Sequence, residues 1–444
     1  MGIIKTLVQK QPKLIKNLYY NVIPFRYRYD KLFGETYDFL KNVDKWGFDR
    51  TKEYQFLELK NLLIYCHNYV PFYKQLFSEY EFNPKIQSFE DMNKLPYLTK
   101  DIIQNNFNEL ISTNYFGKKT LFKTSGSTGK RLEFYGDNSM YKKEAAYILH
   151  SFESHNAELY NNWSIWIRRH SPKDDTDLIV KDYELKRIYM SPFHLNDETI
   201  YNYVNIINES KSTTIVTYPS TAYWLSCLLE KHKLKLYNIK SIHGASEQCL
   251  DLWEKKIKEI FGFNLKMHYG QVEKVSFLYQ SNMSDFYHES LTYSYTEYDD
   301  DNIIIGTSFM NRVMPLIRYK TNDVVTLLNN PNKTYSSPIV VEKIDGRVDD
   351  MIIAENGCKI PSVNFYTVMS KCVDVQMFQI HQQIDKSLIL KLVVSNNFNN
   401  KIMDNLRLEI KKRVGNLSLQ FKIVDEIIRD NNTGKFRCVI TDIK

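Results

Sequence analysis

Apolar residues recur at three- and four-residue steps through Tyr54–Tyr69, where Phe56, Leu59, Leu62, Leu63 and Cys66 share one helix face. Helical patterns dominate residues 35–110. From about residue 120 strand and helix patterns alternate. Ile215–Leu229 reads as a buried strand, a turn at Pro219 and a helix. Asp251–Phe261 is amphipathic and precedes Asn264–Tyr269, a strand-like run closed by Gly270. Such alternation predicts parallel sheets with crossover helices. Leu291–Tyr295 and Ile303–Phe309 read as a hairpin around Glu297-Tyr-Asp-Asp-Asp301, which is either a solvated turn or a cation site.

After Asp350 the pattern changes again. Gln376–Ile380 and Ser387–Val394 read as strands, Lys401–Val414 as a helix, and Leu417–Val424 and Phe436–Ile440 as strands. The chain is therefore of α/β class. A large domain of mixed or parallel sheets and helices spans residues 1–348, with 1–110 largely helical, and a small α+β domain spans 349–444.

A chain of 444 residues is too long for one core. With 43% hydrophobic and 25% charged residues it is ordinary globular material, and it contains no run of 18 apolar residues. Nothing at the N-terminus resembles a signal peptide. The six cysteines show no C-x-x-C pairing and no histidine at zinc-finger spacing, which predicts a cytoplasmic protein with free thiols. The net charge of +7 is mostly lysine scattered among acids, which argues against nucleic acid. Residues 1–31 differ: Lys5, Lys10, Lys13, Lys16, Arg26, Arg28 and Lys31 face only Asp30, with Ile3, Ile4, Leu7, Leu14, Leu18 and Ile23 interleaved. That segment is either a helix packed on the main domain or a basic amphipathic helix on the inner face of the membrane.

Candidate chemistry begins at Lys123-Thr-Ser-Gly-Ser-Thr-Gly-Lys130. Thr124, Ser125, Ser127 and Thr128 offer hydroxyls, Gly126 and Gly129 let backbone amides turn toward an anion, and Lys130 adds charge. Only two residues separate the glycines, so this is not the P-loop of kinases and GTPases. Three more segments stand out: His268-Tyr-Gly-Gln-Val-Glu273, Pro315-Leu-Ile-Arg-Tyr-Lys-Thr-Asn-Asp323 and Asp345-Gly-Arg-Val-Asp-Asp350. Thr433-Gly434-Lys435-Phe436-Arg437 follows near the end, and Val70-Pro-Phe-Tyr73 and Leu95-Pro-Tyr-Leu-Thr-Lys100 lie upstream.

In this order and spacing the segments resemble the adenylate-forming superfamily of acyl-CoA synthetases, peptide-synthetase adenylation domains and luciferases. They are most similar to its branch of phenylacetate-CoA ligases and CapK-type proteins of capsule gene clusters. The resemblance implies a mobile C-terminal lid domain with its hinge at Asp349, and activation of a small carboxylic acid by ATP and Mg²⁺. The acyl group then passes to CoA, a carrier thiol or a sugar amine. By the same resemblance residues 124–130 hold the β- and γ-phosphates, and Glu273 holds Mg²⁺, a hard cation suited to oxygen ligands. Ala245, Ser246, Tyr269, Gly270, Asp323 and Arg347 serve adenine and ribose. Arg318 supports ribose or phosphate, and Lys435 bridges the attacking carboxylate and the α-phosphate. Tyr218, Pro219, Ser220, His243 and Gly244 fall in the acid pocket, although His243 reads equally as a packed core histidine. Three departures from the family pattern are Arg131 for Pro, Val272 for Thr and Asn322 for Gly. The alternatives are adenylylation of a hydroxyl on a cofactor, and a nucleotide-binding scaffold at the membrane surface.

Overall fold

A computed structural model describes residues 8, 11–23, 30–124, 132–153, 162–168, 179–282, 284–328, 338–347, 351–362, 365, 368, 369, 372, 374–429 and 435–443. The chain divides into two compact units, one of residues 1–156, 183–185 and 267–343, the other of residues 157–182, 186–266 and 344–444.

In the first unit the helix Phe48–Tyr69 buries Leu59, Leu62, Leu63 and Cys66 as its periodicity predicts. Gln55 joins that face because its amide has partners: it donates to Ser294 O at 2.7 Å and to Glu289 Oε1 at 3.2 Å. Val70 ends this helix and Pro71 opens the next, Pro71–Glu79, at a position where a missing N–H costs nothing. The upstream motifs pack on the 315–323 motif. Tyr73 OH donates to Pro315 O at 2.9 Å and accepts from Ile317 N at 3.0 Å. Leu98 N donates to Arg318 O and Lys320 N to Leu98 O, each at 2.9 Å. Residues 70–73 and 95–100 are therefore a brace for that motif.

The strands of this unit lie in the order Ser294–Tyr298, Ile303–Ser308, Tyr319–Leu327, Val340–Arg347, Ser284–Glu289, Phe277–Ser281, Lys266–Gly270. The hairpin is present, with Ser294 opposite Ser308 and Tyr298 opposite Ile304. Lys266–Gly270 pairs antiparallel with Phe277–Ser281, because the short connection between them cannot make a crossover. Glu297 lies in a strand against Arg318 and Asp299 holds Lys320 Nζ at 2.6 Å, so these two acids are ion-paired, while Asp300 and Asp301 are exposed in the turn.

The second unit supplies the expected parallel layer. Ser241–Ala245, Thr214–Thr217, Ser164–Ile167 and Arg187–Met190 are parallel neighbours, with Ile179–Asp182 antiparallel at the edge. Helices Ile200–Glu209, Pro219–Lys231 and Asp251–Phe261 connect and follow them. The C-terminal sheet runs Leu419–Ile423, Leu388–Val394, Val375–Gln382, Val439–Thr441. Helix Asn400–Val414 buries Leu406, Ile410 and Val414 at four-residue steps. Residues 344–444 group with 157–266 because Arg429 and Phe436 dock on the start of the 219–231 helix and on Trp253. The expected boundary at 348/349 lies near the re-entry at Ile344, and the proposed hinge Asp349 lies outside the described residues.

Candidate active site

Thr124, the first residue of the candidate phosphate loop, follows one strand of a two-stranded ribbon. Thr120–Lys123 pairs antiparallel with Glu133–Gly136, and Phe122 stacks on Phe134 at 5.3 Å. Such a ribbon is marginal alone and depends on that buried aromatic pair. At its neck Lys123 Nζ lies 2.6 Å from Glu133 Oε1, and Thr124 N donates to Leu132 O at 2.9 Å. Thr124 Oγ1 accepts from Leu132 N at 3.1 Å, so this hydroxyl closes the neck. Ser125, Gly126, Ser127, Thr128, Gly129, Lys130 and Arg131 lie outside the described residues.

Two sequence-distant residues assigned to the nucleotide do meet. Tyr269 OH donates to Asp323 Oδ2 at 2.6 Å across 54 residues of chain, and Gln271 Nε2 donates to the same phenol oxygen at 3.1 Å. Burial and the Asp323 charge hold the phenol well above its ordinary pKa, so it stays a neutral donor. Asp323 is fixed in turn: its N–H donates to Thr321 Oγ1 at 3.2 Å, and that hydroxyl donates to Ile304 O. Asn322 sits within the strand Tyr319–Leu327 without a left-handed backbone, so its substitution for glycine is easily accommodated. Gly270 is likewise extended, and a Cβ there would make only ordinary contacts with Phe277 and Glu144.

Glu273 lies in the turn after Gly270 and is 6% exposed. The turn is pinned at both ends. Gln271 Oε1 accepts from Ser276 N at 3.3 Å, and Lys274, left-handed at φ +58°, places Nζ 2.5 Å from the buried Glu144 Oε2. A single buried carboxylate held this rigidly suits Mg²⁺, which binds through one or two carboxylates and substrate phosphates. Among the described residues no group of three or more His, Cys, Asp or Glu forms a self-sufficient metal site.

Arg318 departs from its expected role. It is 5% exposed, its Nε and Nη2 donate to Glu297 Oε2 and Oε1 at 3.1 and 2.9 Å, and Nη1 donates to Met92 O at 2.8 Å and to Leu95 O. Its guanidinium lies 4.6 Å over the Tyr97 ring. A fork committed to a carboxylate and two carbonyls is structural, and it welds the 92–98 segment to the 315–323 motif.

In the second unit the candidate residues collect at the carboxyl ends of three adjacent parallel strands, where open α/β sheets bind ligands. Tyr218 follows Thr214–Thr217, Ser246 follows Ser241–Ala245, and Arg168 follows Ser164–Ile167. Sequence reading missed Arg168. It donates to Ser246 Oγ at 3.0 Å, and its guanidinium lies 4.9 Å over the Tyr218 ring. It has no carboxylate partner among the described residues. Stacking fixes the fork while leaving most of its N–H groups for an anion or a hydroxyl. No motif flagged it; its adjacency to Tyr218 and Ser246 exists only in the sheet.

His243 and Gly244 are buried within their strand, and Ala245 is buried at its end. Ser220 Oγ accepts from Arg429 Nη1 at 2.7 Å, which commits that expected acid-pocket hydroxyl to a cation of the same chain. Pro219 opens the helix at its first position. Arg347 ends the strand Val340–Arg347 half-buried, after Gly346, whose φ of +105° few side chains adopt. Lys435 is half-buried beside Phe436, which packs edge-on against Trp253.

Against known proteins, residues 352–442 match the CapK C-terminal domain family. Protein CapK of Staphylococcus aureus is 26% identical over 395 residues, covering 85% of this chain and 87% of that protein. A 2-hydroxyisobutyryl-CoA ligase in its postadenylation state with R3-HIB-AMP superposes with a TM-score of 0.66 at 15% identity, over 89% of this chain and 90% of that one. The same ligase with 2-HIB-AMP and CoA in its thioesterification state gives 0.54 at 17% identity, over 90% and 91%. The chain has the α/β fold of the adenylate-forming enzymes, with a large N-terminal part and a small C-terminal part resembling CapK.

Proposed function

We propose that this CapK-like chain is an ATP-dependent acyl-adenylate-forming ligase. A substrate carboxylate oxygen attacks the α-phosphorus of ATP, pyrophosphate leaves, and acyl-AMP forms. An acceptor thiol or amine then attacks the acyl carbon and AMP leaves. CoA is the first acceptor to test, a carrier thiol or sugar amine the next. The setting we infer is capsule or other surface-polysaccharide biosynthesis, by the likeness to CapK-type proteins. The reading rests above all on the 2.6 Å bond between Tyr269 and Asp323, which joins two motifs assigned separately to one nucleotide.

The residues divide the work. Asp323, oriented by the Tyr269 phenol, accepts from ribose hydroxyls. Arg347 adds a cationic fork, and the 124–130 loop carries the phosphate oxygens. Glu273 would hold Mg²⁺, which supplies positive charge against the polyphosphate. Lys435 brings its ammonium to the two anions that must meet, and such charge neutralisation is usually the largest catalytic term. Asp349 is the hinge. Tyr218 and Arg168 face the acid, and Arg168 favours acids with a second polar or anionic group.

The test is ATP- and Mg²⁺-dependent pyrophosphate release, trapped with hydroxylamine, across aryl, fatty, hydroxy and dicarboxylic acids. Release with hydroxy or dicarboxylic acids, weakened about tenfold by Arg168→Met through loss of a charged hydrogen bond, is expected. Release with no acid, ATP still binding, would sink the carboxylate reading.

We infer further that the protein works at the inner face of the membrane. In the helix Lys13–Val22, Ile15, Leu18 and Val22 recur at helical steps on one side, Leu18 62% and Val22 82% exposed. Among the described residues no helix is long and apolar enough to cross a membrane, so contact would be peripheral. Vesicles rich in phosphatidylglycerol should sediment the protein at low salt, and Leu18→Glu with Val22→Glu should abolish this. Equal recovery of the double variant would refute membrane contact.

A further inference from the structure

The start of helix Pro219–Lys231 lacks a local cap. Its N-cap residue Tyr218 makes no side-chain cap bond, and Pro219 has no N–H to offer. Ser220 N is thus the first donor of the helix, and it donates to Glu247 Oε2 at 3.2 Å, 27 residues away. The other oxygen, Glu247 Oε1, accepts from Phe436 N at 2.6 Å, 189 residues away. Arg429 Nη1 lies 3.9 Å from that oxygen and donates to Ser220 Oγ. The Glu247 side chain is 3% exposed. This places a carboxylate at a helix N-terminus, bonded to two amides and facing a guanidinium.

One residue precedes Phe436 in this arrangement: Lys435. Its C-terminal side is fixed by several ties. The Phe436 amide is held by Glu247 and the Phe436 ring by Trp253, which itself stacks on Tyr223 at 5.7 Å. Arg437 O accepts from Gln379 Nε2 at 2.9 Å, and Cys438 O accepts from Ile380 N at 2.7 Å. The Glu247 tie connects this segment by hydrogen bond to the helix whose first turn carries Pro219 and Ser220.

We propose that Glu247 is the positioning residue for Lys435: it clasps the Phe436 amide to the N-terminus of the 219–231 helix and so sets where the ammonium acts. The proposal rests on the adenylation reading for what Lys435 does, but not for where it is held. A leucine at 247 keeps much of the volume, accepts from neither amide and presents no charge to Arg429.

The test compares wild type, Glu247→Leu and Glu247→Asp. Three readouts are needed: pyrophosphate release, acyl transfer from chemically prepared acyl-adenylate, and hydrogen exchange of the Phe436 amide. In Glu247→Leu, Phe436 should exchange at the rate of an unprotected amide while the interior of the 219–231 helix stays protected. Pyrophosphate release should fall about 10²-fold, the size of effect a misplacement of one ångström produces, with transfer unchanged. Glu247→Asp should recover part of both losses. Adding Glu247→Leu to Lys435→Ala should cost nothing more, since both act through one ammonium. Unchanged Phe436 exchange, or equal loss of both half-reactions, would overturn the proposal. If wild type releases no pyrophosphate with any acid, the adenylation reading falls, and Phe436 exchange alone still decides whether Glu247 holds the segment.

Discussion

Arg318→Ala should cost the protein several kcal/mol of stability, the largest loss expected from any substitution outside the chemistry. The side chain is buried, with a two-pronged bond to Glu297 and further bonds to the carbonyls of Met92 and Leu95. Truncation leaves a buried carboxylate without its cation, which costs about 3–5 kcal/mol. Two carbonyls lose a donor as well, at roughly 1–3 kcal/mol each where water cannot replace it. Total stabilities of about 5–15 kcal/mol leave little margin.

The loss should depend on pH in a defined direction. Burial already pushes the Glu297 carboxyl up, and Arg318 opposes that rise. Without Arg318 the folded state holds the Glu297 proton more tightly than the unfolded chain does. Folding is then penalised progressively as pH climbs above the unfolded carboxylate's pKa, so the variant should be least stable at alkaline pH. Urea unfolding at pH 5 and pH 8 tests this. A second change, Glu297→Gln, should restore part of the stability at pH 8 and little at pH 5. A loss below 1 kcal/mol, or one indifferent to pH, would show that the pair is not the brace described.

Lys435→Ala should reduce adenylate formation by about 10²–10³-fold, the range seen when one preorganised electrostatic donor is removed. In the proposed reaction the first step brings a carboxylate and a polyphosphate together, and a compact ammonium with three donors can neutralise both at once. The second step has no such requirement, because the acyl-phosphate bond already exists and AMP departs as the anion. Transfer from supplied acyl-adenylate should therefore survive. ATP binding should change little, since Tyr269, Asp323 and Glu273 belong to another part of the chain. Parallel loss of both half-reactions would mean that Lys435 serves binding or structure.

The legible parts of this protein are those where chemistry is local in sequence. Leu59, Leu62, Leu63 and Cys66 announce their helix by spacing, and Leu406, Ile410 and Val414 announce theirs. The motifs proposed for the nucleotide are also short, so Tyr269 and Asp323 stand out as candidates, although their mutual bond does not. Illegible residues are those whose meaning depends on a neighbour far along the chain. Arg318 looks like a ligand for phosphate until Glu297 and the carbonyls of Met92 and Leu95 surround it. Glu247 lies beside a flagged motif, yet its partners are 27 and 189 residues away. Arg168 has no motif at all. Alternation of strand and helix patterns likewise does not reveal that Lys266–Gly270 turns back tightly on Phe277–Ser281.

Ser246 has a meaning for how such a chain would drift. Its φ of +72° is one that glycine adopts freely and other residues adopt at a cost of roughly 1–2 kcal/mol. Selection for heat tolerance alone would replace it with glycine. The same replacement would remove the hydroxyl that holds Arg168 against the Tyr218 ring. At this one position a hardier protein and one that keeps Arg168 fixed on the Tyr218 ring are different sequences.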